Sequence, residues 1–257
     1  MKIAVAGAGG RMGQALIEAV IADPELTLAA AFDVPGSPVF GRDLAGVEAT
    51  ADVAAAVSVS EVVIDFTRPQ GTLAHLQACV KARKAMVIGT TGFSETQRGV
   101  IAEAGEVIPI VLSPNFAVGV NAAFKLAETA ARILGDAYDV EIIEAHHRHK
   151  VDAPSGTALK LGEIVAKALS RDLKKNSVFG REGDTGERPG RQIGFHAIRG
   201  GDIVGEHTVL FAGVGERVEV TVRSQSRITY ALGALRAAKF LRGKAPGLYG
   251  MNDVLGL

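Results

Sequence analysis

The chain has 257 residues, enough for one large domain or two ordinary ones with a proper core. Hydrophobic residues make up 47% and charged residues 22%, and 28 basic side chains balance 28 acidic ones to a net charge of zero. That balance argues against a nucleic-acid binder, and no apolar run reaches membrane-spanning length.

Residues 1–9 already read as a strand, without the basic start and apolar stretch of a secretory signal. The single cysteine, Cys79, excludes an intrachain disulfide and a thiolate metal cluster. It shares helical spacing with Leu73, Leu76 and Val80, as a small buried hydrophobe would. A cytoplasmic protein is expected.

In chain order, Lys2–Ala6 reads as a strand, Met12–Ala22 as a helix and Thr27–Phe32 as a second strand. Val62–Phe66, Ala85–Ile88 and Ile108–Leu112 read as further strands, with helical spacing over Gly71–Ala82 and Glu95–Ala104. Strands apolar on both faces, alternating with helices, predict an α/β domain with a parallel sheet covered on both sides.

The second half changes character. Val140–Ala145 reads as a strand and Thr157–Leu169 as a helix. Gln192–Ile198, Ile203–Phe211 and Arg217–Arg223 then predict an antiparallel meander. In the last run Val218, Val220 and Val222 alternate with Arg217, Glu219, Thr221 and Arg223, so one face is buried and one polar. Lys174–Arg191, rich in charge and glycine, reads as a mobile lid or as a disordered connection. Tyr230–Leu241 is helical again.

Gly7-Ala8-Gly9-Gly10-Arg11-Met12-Gly13 follows a strand and precedes a helix, the context of a Rossmann-type dinucleotide-binding loop. The spacing reads as G-x-G-x-x-x-G, or as G-x-x-G-x-x-G counted through Gly10. Any tight strand-to-helix turn also favours glycine. Asp33, about 20 residues past the loop, stands where an acid holds the adenosine ribose hydroxyls. It would repel a 2′-phosphate, and Val34 offers that group no cation. NADH is therefore expected, with NADPH tolerated because Arg11 can reach a phosphate. Gly89-Thr90-Thr91-Gly92 and Ser113-Pro114-Asn115-Phe116 follow later strands at the carboxyl edge of the sheet, where ligands bind. They are candidates for the nicotinamide ribose and carboxamide, or simple loop chemistry. Phe66-Thr67-Arg68-Pro69 is a candidate flank for adenine or ribose.

The most concentrated chemistry lies at Glu144–Ala158, where His146, His147, Arg148, His149 and Lys150 precede Ser155-Gly156-Thr157. Three readings compete. A metal site lacks the i, i+4 histidine spacing and the acid-histidine motif of zinc proteases. A basic surface patch is diluted by Glu141, Glu144 and Asp152. A proton-donor site is preferred, with one imidazole and Lys150 converging on a substrate. Ser155, Gly156 and Thr157 would clamp a carboxylate at a helix start, although Ser155 or Thr157 could also be an ordinary N-cap.

Glu144–Ala158 resembles the signature of the dihydrodipicolinate reductase family almost without departure. Val5–Gly13, Asp65-Phe66-Thr67, Gly89–Phe93 and Asn115–Asn121 are similar to that family's other motifs, so the resemblance covers essentially the whole chain. It implies a Rossmann-type domain of residues 1–117 with 227–257. Residues 118–226 would form an α+β substrate and tetramerisation domain with a mostly antiparallel open sheet. It further implies reduction of a cyclic dicarboxylate in the diaminopimelate route to lysine, with hinge closure and a homotetramer. His146 and Lys150 would exchange protons, while His147, Gly156 and Thr157 would bind substrate. Gly7 to Met12, Asp33, Gly89 to Thr91 and Ser113 to Phe116 would contact the cofactor. Val34 departs from the arginine of members that accept NADPH well. The rivals are another two-domain dehydrogenase, which should lack the histidine-lysine segment, and a nucleotide-sensing regulator, which should have lost His146 or Lys150.

Overall fold

In the computed structural model, which describes residues 1–257, the alternating apolar runs and helical patterns of the first half become a parallel sheet layered by helices. β1 (Lys2–Ala6), α1 (Arg11–Ala22), β2 (Thr27–Phe32), β3 (Ala49–Thr50) and α2 (Val53–Ser58) come first. β4 (Val62–Asp65), α3 (Pro69–Ala82), β5 (Ala85–Ile88), α4 (Glu95–Gly105) and β6 (Pro109–Leu112) follow. Then come α5 (Val118–Leu134), β7 (Asp139–His146), α6 (Gly156–Ala168), α7 (Leu173–Asn176) and β8 (Ser177–Phe179). β9 (Ile193–Arg199), β10 (Gly205–Ala212), β11 (Arg217–Ser224), α8 (Ile228–Phe240), β12 (Gly247–Tyr249) and α9 (Met251–Leu255) complete the chain. These elements form two units, Met1–Val118 with Arg227–Leu257, and Gly119–Ser226.

The first unit holds a seven-stranded sheet in the order β12-β6-β5-β4-β1-β2-β3, with every pairing parallel. Both faces are covered. Ile3 and Val5 pack with Leu16, Val20 and Leu235, from α1 and α8. Ala4 and Ala6 pack on the other side with Leu76, Cys79 and Ile101, from α3 and α4. Burial pushes the Cys79 thiol up to about 12, as befits an inert core side chain. α3 begins at Pro69, whose fixed φ suits the first helical position. β3 and β12 are edge strands of two and three residues, too short to show a period.

The second unit holds a five-stranded sheet in the order β11-β10-β7-β9-β8. β10 is antiparallel to β7 and β11, but β9 is parallel to both β7 and β8. The expected meander is therefore a mixed sheet. Alternation along a strand reports which face is buried, not which strand lies beside it. Val140, Ile142, Phe195, Val209 and Phe211 pack against Leu161 and Val165 of α6 and Ala127 and Ala131 of α5. α5, absent from the expected elements, is amphipathic all the same, with Val120, Ala123, Ala127 and Ala131 buried at helical spacing.

Lys174–Arg191 is the loop expected from its composition only from residue 180 onward. Its first part is α7 and the edge strand β8. The rest is tied to β7 by ion pairs. Glu141 accepts from Arg181 Nη2 at 2.8 Å, Arg188 Nε at 2.8 Å and His196 Nε2 at 2.7 Å. Arg188 Nη1 also reaches Asp139 at 2.6 Å, and its Nη2 donates to the Val140 and Gln192 carbonyls. Gly194 makes room, since a Cβ there would stand 1.7 Å from Glu141 Oε2. Charge density that suggests a solvated loop here forms a network across a sheet face.

Burial opposes ionisation of Glu141, but hydrogen bonds from Arg181, Arg188 and His196 outweigh it and bring the carboxyl from 4.5 down to about 2. A carboxyl held below its unfolded value stabilises the fold above that value and loses the contribution as pH falls through the folded one. The advantage of the wild type over Glu141→Gln is therefore expected in full above pH 4.5, shrinking from there toward about 2. In urea titrations at neutral pH it should be on the order of 2–3 kcal/mol; equal stability there would refute the assignment.

Candidate active site

The glycine loop lies between β1 and α1, at the point where strand order reverses in the parallel sheet. Gly7 has φ +66, a left-handed conformation that glycine adopts without strain. A Cβ on Gly13 would stand 2.1 Å from the Gly7 carbonyl oxygen, so only glycine lets α1 start this close to β1. Gly7 and Gly13 are thus the backbone-required ends of the motif. Gly10 gives α1 no side-chain cap, whereas Asp52, Ser94 and Ser155 cap α2, α4 and α6. The first-turn amides of Arg11 and Met12 suit an anion.

Asp33 stands at the end of β2 beside this loop. Its Oδ2 accepts the Gly9 N–H at 2.7 Å and the Ser37 hydroxyl at 2.9 Å, and its Oδ1 accepts the Val34 N–H at 2.7 Å. Val34 is 70% exposed. A left-handed glycine, an uncapped helix start and an acid tied to the loop together fit a nicotinamide dinucleotide.

The later turns divide into open and packed residues. Thr90 is buried, and its hydroxyl accepts from Thr72 at 2.8 Å and faces Asp65 Oδ1 at 3.4 Å. Asp65 is fully buried and also bonds Thr67 and His75. Gly89 abuts Phe66, whose ring would lie 2.1 Å from a Cβ there, so Phe66 shapes this turn from within. Thr91 is exposed. Ser113 Oγ donates to the Asn115 carbonyl at 2.8 Å, and Asn115 Oδ1 accepts the Ala117 N–H at 2.9 Å. Pro114 is exposed. The Phe116 side chain is 1% exposed and packs on Phe66, so only its main chain is open to a ligand at this turn. Its carbonyl lies where a Cβ on Gly233 of α8 would stand, 1.7 Å away.

In the second unit the histidine-lysine segment begins at the end of β7. Val140, Ile142, Glu144 and His146 alternate along one face, so an acid occupies a core position. Glu144 is 1% exposed. Its Oε2 accepts from His146 Nδ1 at 2.6 Å and Arg199 Nη1 at 2.8 Å. Its Oε1 accepts from Arg199 Nη2 at 2.7 Å and the Ser155 N–H at 3.1 Å. Burial opposes ionisation of Glu144, but the Arg199 and His146 hydrogen bonds prevail and hold the carboxyl below its usual range. Burial pushes the His146 imidazole below its ordinary value, against the pull of Glu144.

Lys150 Nζ donates to both carboxylate oxygens of Asp152, at 2.7 and 2.8 Å. Arg199 Nη2 reaches the Asp152 carbonyl at 2.6 Å, so one guanidinium braces the strand end and the lysine loop together. Ser155 is the N-cap of α6. Its Oγ accepts the Ala158 N–H at 3.2 Å and shares a hydrogen bond of 2.9 Å with His207 Nε2. The hydroxyl expected at a carboxylate is engaged as a cap, and Gly156 is the exposed member of the turn, with Thr157 half-buried. His147 lies half-buried beside His149, with ring centroids 6.2 Å apart, and its Nδ1 is buried with no hydrogen-bond partner.

Sequence reading missed Glu144 as the organiser, together with Arg199 and His207. His207 packs edge-on to His146, with centroids 5.1 Å apart, and burial pushes it down to about 4. A signal was present. Glu144 and His207 continue the buried alternation of their strands, after Val140 and Ile142 and beside Phe211 and Val209, whereas Arg199 carries no such signal because the buried run of β9 ends at Phe195 and Ala197 is exposed. A polar residue at a core position of two adjacent strands marks a site.

A parallel sheet with a glycine loop at its switch point, and a second unit with a histidine and a lysine hydrogen-bonded to acids close to a helix start, define a dinucleotide-dependent oxidoreductase. The family profile described as dihydrodipicolinate reductase, N-terminus, matches residues 1–116, and that described as dihydrodipicolinate reductase, C-terminus, matches 119–255. The chain belongs to the dihydrodipicolinate reductase family. It is 61% identical over 263 residues to the 4-hydroxy-tetrahydrodipicolinate reductase of Dechloromonas aromatica, covering 100% of this chain and 98% of the relative. Identity to the enzyme of that name from Aromatoleum aromaticum is 60% over 264 residues, covering 100% and 96%. Among solved structures, dipicolinate-bound dihydrodipicolinate reductase from Paenisporosarcina sp. TG-14 superposes with a TM-score of 0.81 at 26% identity, covering 98% of each chain.

Proposed function

We propose that this protein reduces 4-hydroxy-tetrahydrodipicolinate to tetrahydrodipicolinate in the diaminopimelate route to lysine, with His146 and Lys150 as its proton donors. The observation that carries the reading is the pair of hydrogen-bonded donors, His146 on Glu144 and Lys150 on Asp152, beside the start of α6. The names of the 61% and 60% identical relatives supply the substrate. The dipicolinate held by the Paenisporosarcina enzyme supplies its chemical class, a planar dicarboxylate.

Gly7 to Met12, Asp33, Val34, Gly89 to Thr91 and Ser113 to Asn115 hold the cofactor, with Phe116 contributing its main chain. A bound reduced nicotinamide supplies the hydride. His147, the Lys150 ammonium and the helix start at Ser155, Gly156 and Thr157 bind the substrate carboxylates through N–H groups and positive charge. Ser155 shapes that start as its cap. His146 or Lys150 delivers one proton, and loss of water from the 4-hydroxy carbon balances the conversion. No metal enters this account.

NADH is the preferred carrier and NADPH is tolerated. Asp33 places a negative charge at the ribose end of the loop, and the exposed Val34 offers no cation to a 2′-phosphate. The protein is read as cytoplasmic and homotetrameric. Support for assembly comes from the open face of the second sheet, where Ile143, Ile198 and Leu210 stand on one side and Ile198 is 52% exposed.

NADH oxidation with substrate made in situ from aspartate semialdehyde and pyruvate tests the activity; no oxidation above background would overturn it. Lys150→Ala and His146→Gln should each lower kcat by about 10²–10⁴-fold and leave NADH affinity near the wild-type value. A variant with near wild-type turnover removes that residue from the chemistry. Val34→Arg should raise kcat/KM for NADPH by about tenfold or more, equivalent to one charge-assisted contact. Unchanged NADPH kinetics would defeat the specificity argument. Sedimentation equilibrium should give four times the mass of one chain, and a monomer would end the assembly reading.

A further inference from the structure

Glu144 does more than stabilise a sheet. Each of its hydrogen bonds comes from a nitrogen: the His146 ring, the Arg199 guanidinium twice and the Ser155 amide. A guanidinium keeps its protons at any ordinary pH, and an amide N–H is only a donor. Glu144 is therefore an acceptor on both oxygens, and the proton in its 2.6 Å contact with His146 belongs to Nδ1.

We propose that Glu144 is the positioning residue of the proton-transfer site: it holds His146 in the Nδ1–H tautomer and leaves Nε2 as the atom that exchanges a proton with substrate. The inference rests on His146 being a proton carrier, as read above. Arg199 extends the device to the other donor. The guanidinium that clamps Glu144 bidentately also donates to the carbonyl of Asp152, whose carboxylate holds the Lys150 ammonium. Both donors thus take their positions from one ion pair.

Glu144 from β7, Arg199 from β9, His207 from β10, and Lys150 with Asp152 from the following loop face His146 or its partners. Among these, the Glu144 carboxylate favours the imidazolium, while Lys150 and Arg199 oppose it. An imidazolium held at Nδ1 donates from Nε2, and the neutral ring left behind takes its next proton at Nε2. Loss of the Glu144 charge lowers the affinity of His146 for that proton, so the rate falls off at lower pH than in the wild type.

Nitrogen-15 NMR of histidine-labelled wild-type protein, with His146 assigned through His146→Gln, reads the tautomer directly. The neutral ring is expected to carry its proton on Nδ1; a proton on Nε2 overturns the proposal without any Glu144 variant. In Glu144→Gln, kcat at neutral pH should fall at least about tenfold and the high-pH limb of its profile should move to lower pH. The KM for NADH should stay near the wild-type value, and Glu144→Asp should recover part of kcat. Wild-type kcat and pH profile in a folded Glu144→Gln, with His146→Gln inactive, would sink the positioning role and spare the proton carrier. A fully active His146→Gln would sink the proton-carrier reading itself, and this inference with it. Should Glu144→Gln fail to fold, the wild-type tautomer decides.

Discussion

The carboxylate of Glu144, 1% exposed on the core face of β7, is the contact on which the geometry around the second unit's histidine-lysine segment depends. Burying an ion costs several kcal/mol unless its partners and hydrogen bonds are complete. Here both oxygens are satisfied by Arg199, His146 and the first amide of the α6 turn. The strand end, the opposing strand β9 and the start of α6 are thereby drawn to one point. Removing any partner strands a charge, so these elements hold one another in register. The same arrangement that makes the burial tolerable ties the His146 ring to the strand end and gives the lysine loop an anchor through Arg199.

The first unit meets a similar problem with a second buried acid. Asp65, at the end of β4, accepts from Thr67 and faces His75 and the hydroxyl of Thr90. In both units an acid near the carboxyl end of a strand fixes a loop expected to touch a ligand. Loops at such edges have few contacts of their own, and a charged acceptor in low dielectric gives them geometry. The glycine loop works by the opposite means. It depends on missing side chains, since Gly7 turns through a left-handed conformation and Gly13 admits the Gly7 carbonyl within van der Waals distance. Asp33 then ties that loop to β2 through the Gly9 amide.

Much of the first unit was legible because its signals are local. Two-sided apolar strands such as Ile3–Ala6, a glycine turn and an acid at the next strand end follow one another within 33 residues. The lysine segment was legible as chemistry, since imidazoles, an ammonium and a helix start adjoin in sequence. α5 is the exception, unread although Val120, Ala123, Ala127 and Ala131 recur at helical spacing. At 174–191 composition located the loop but not its anchors, because the partners of Arg181 and Arg188, Asp139 and Glu141, lie more than 30 residues away. That the Phe116 side chain belongs to the core while its turn lies on the ligand side of the sheet is decided by packing, not by residue type.

The sequence by itself determined the parallel first sheet, the glycine loop with its acid and the identity of the proton-bearing segment. These rest on period, turn chemistry and residue type, which act over a few neighbours. Tertiary structure alone decided the mixed order of the second sheet, the burial of Glu144 and the convergence on it of Arg199, 55 residues away, while His207, 63 residues beyond Glu144 in the chain, was brought against His146. Strand pairing is a long-range choice, and the state of a buried ionisable group is set by what the fold brings to it.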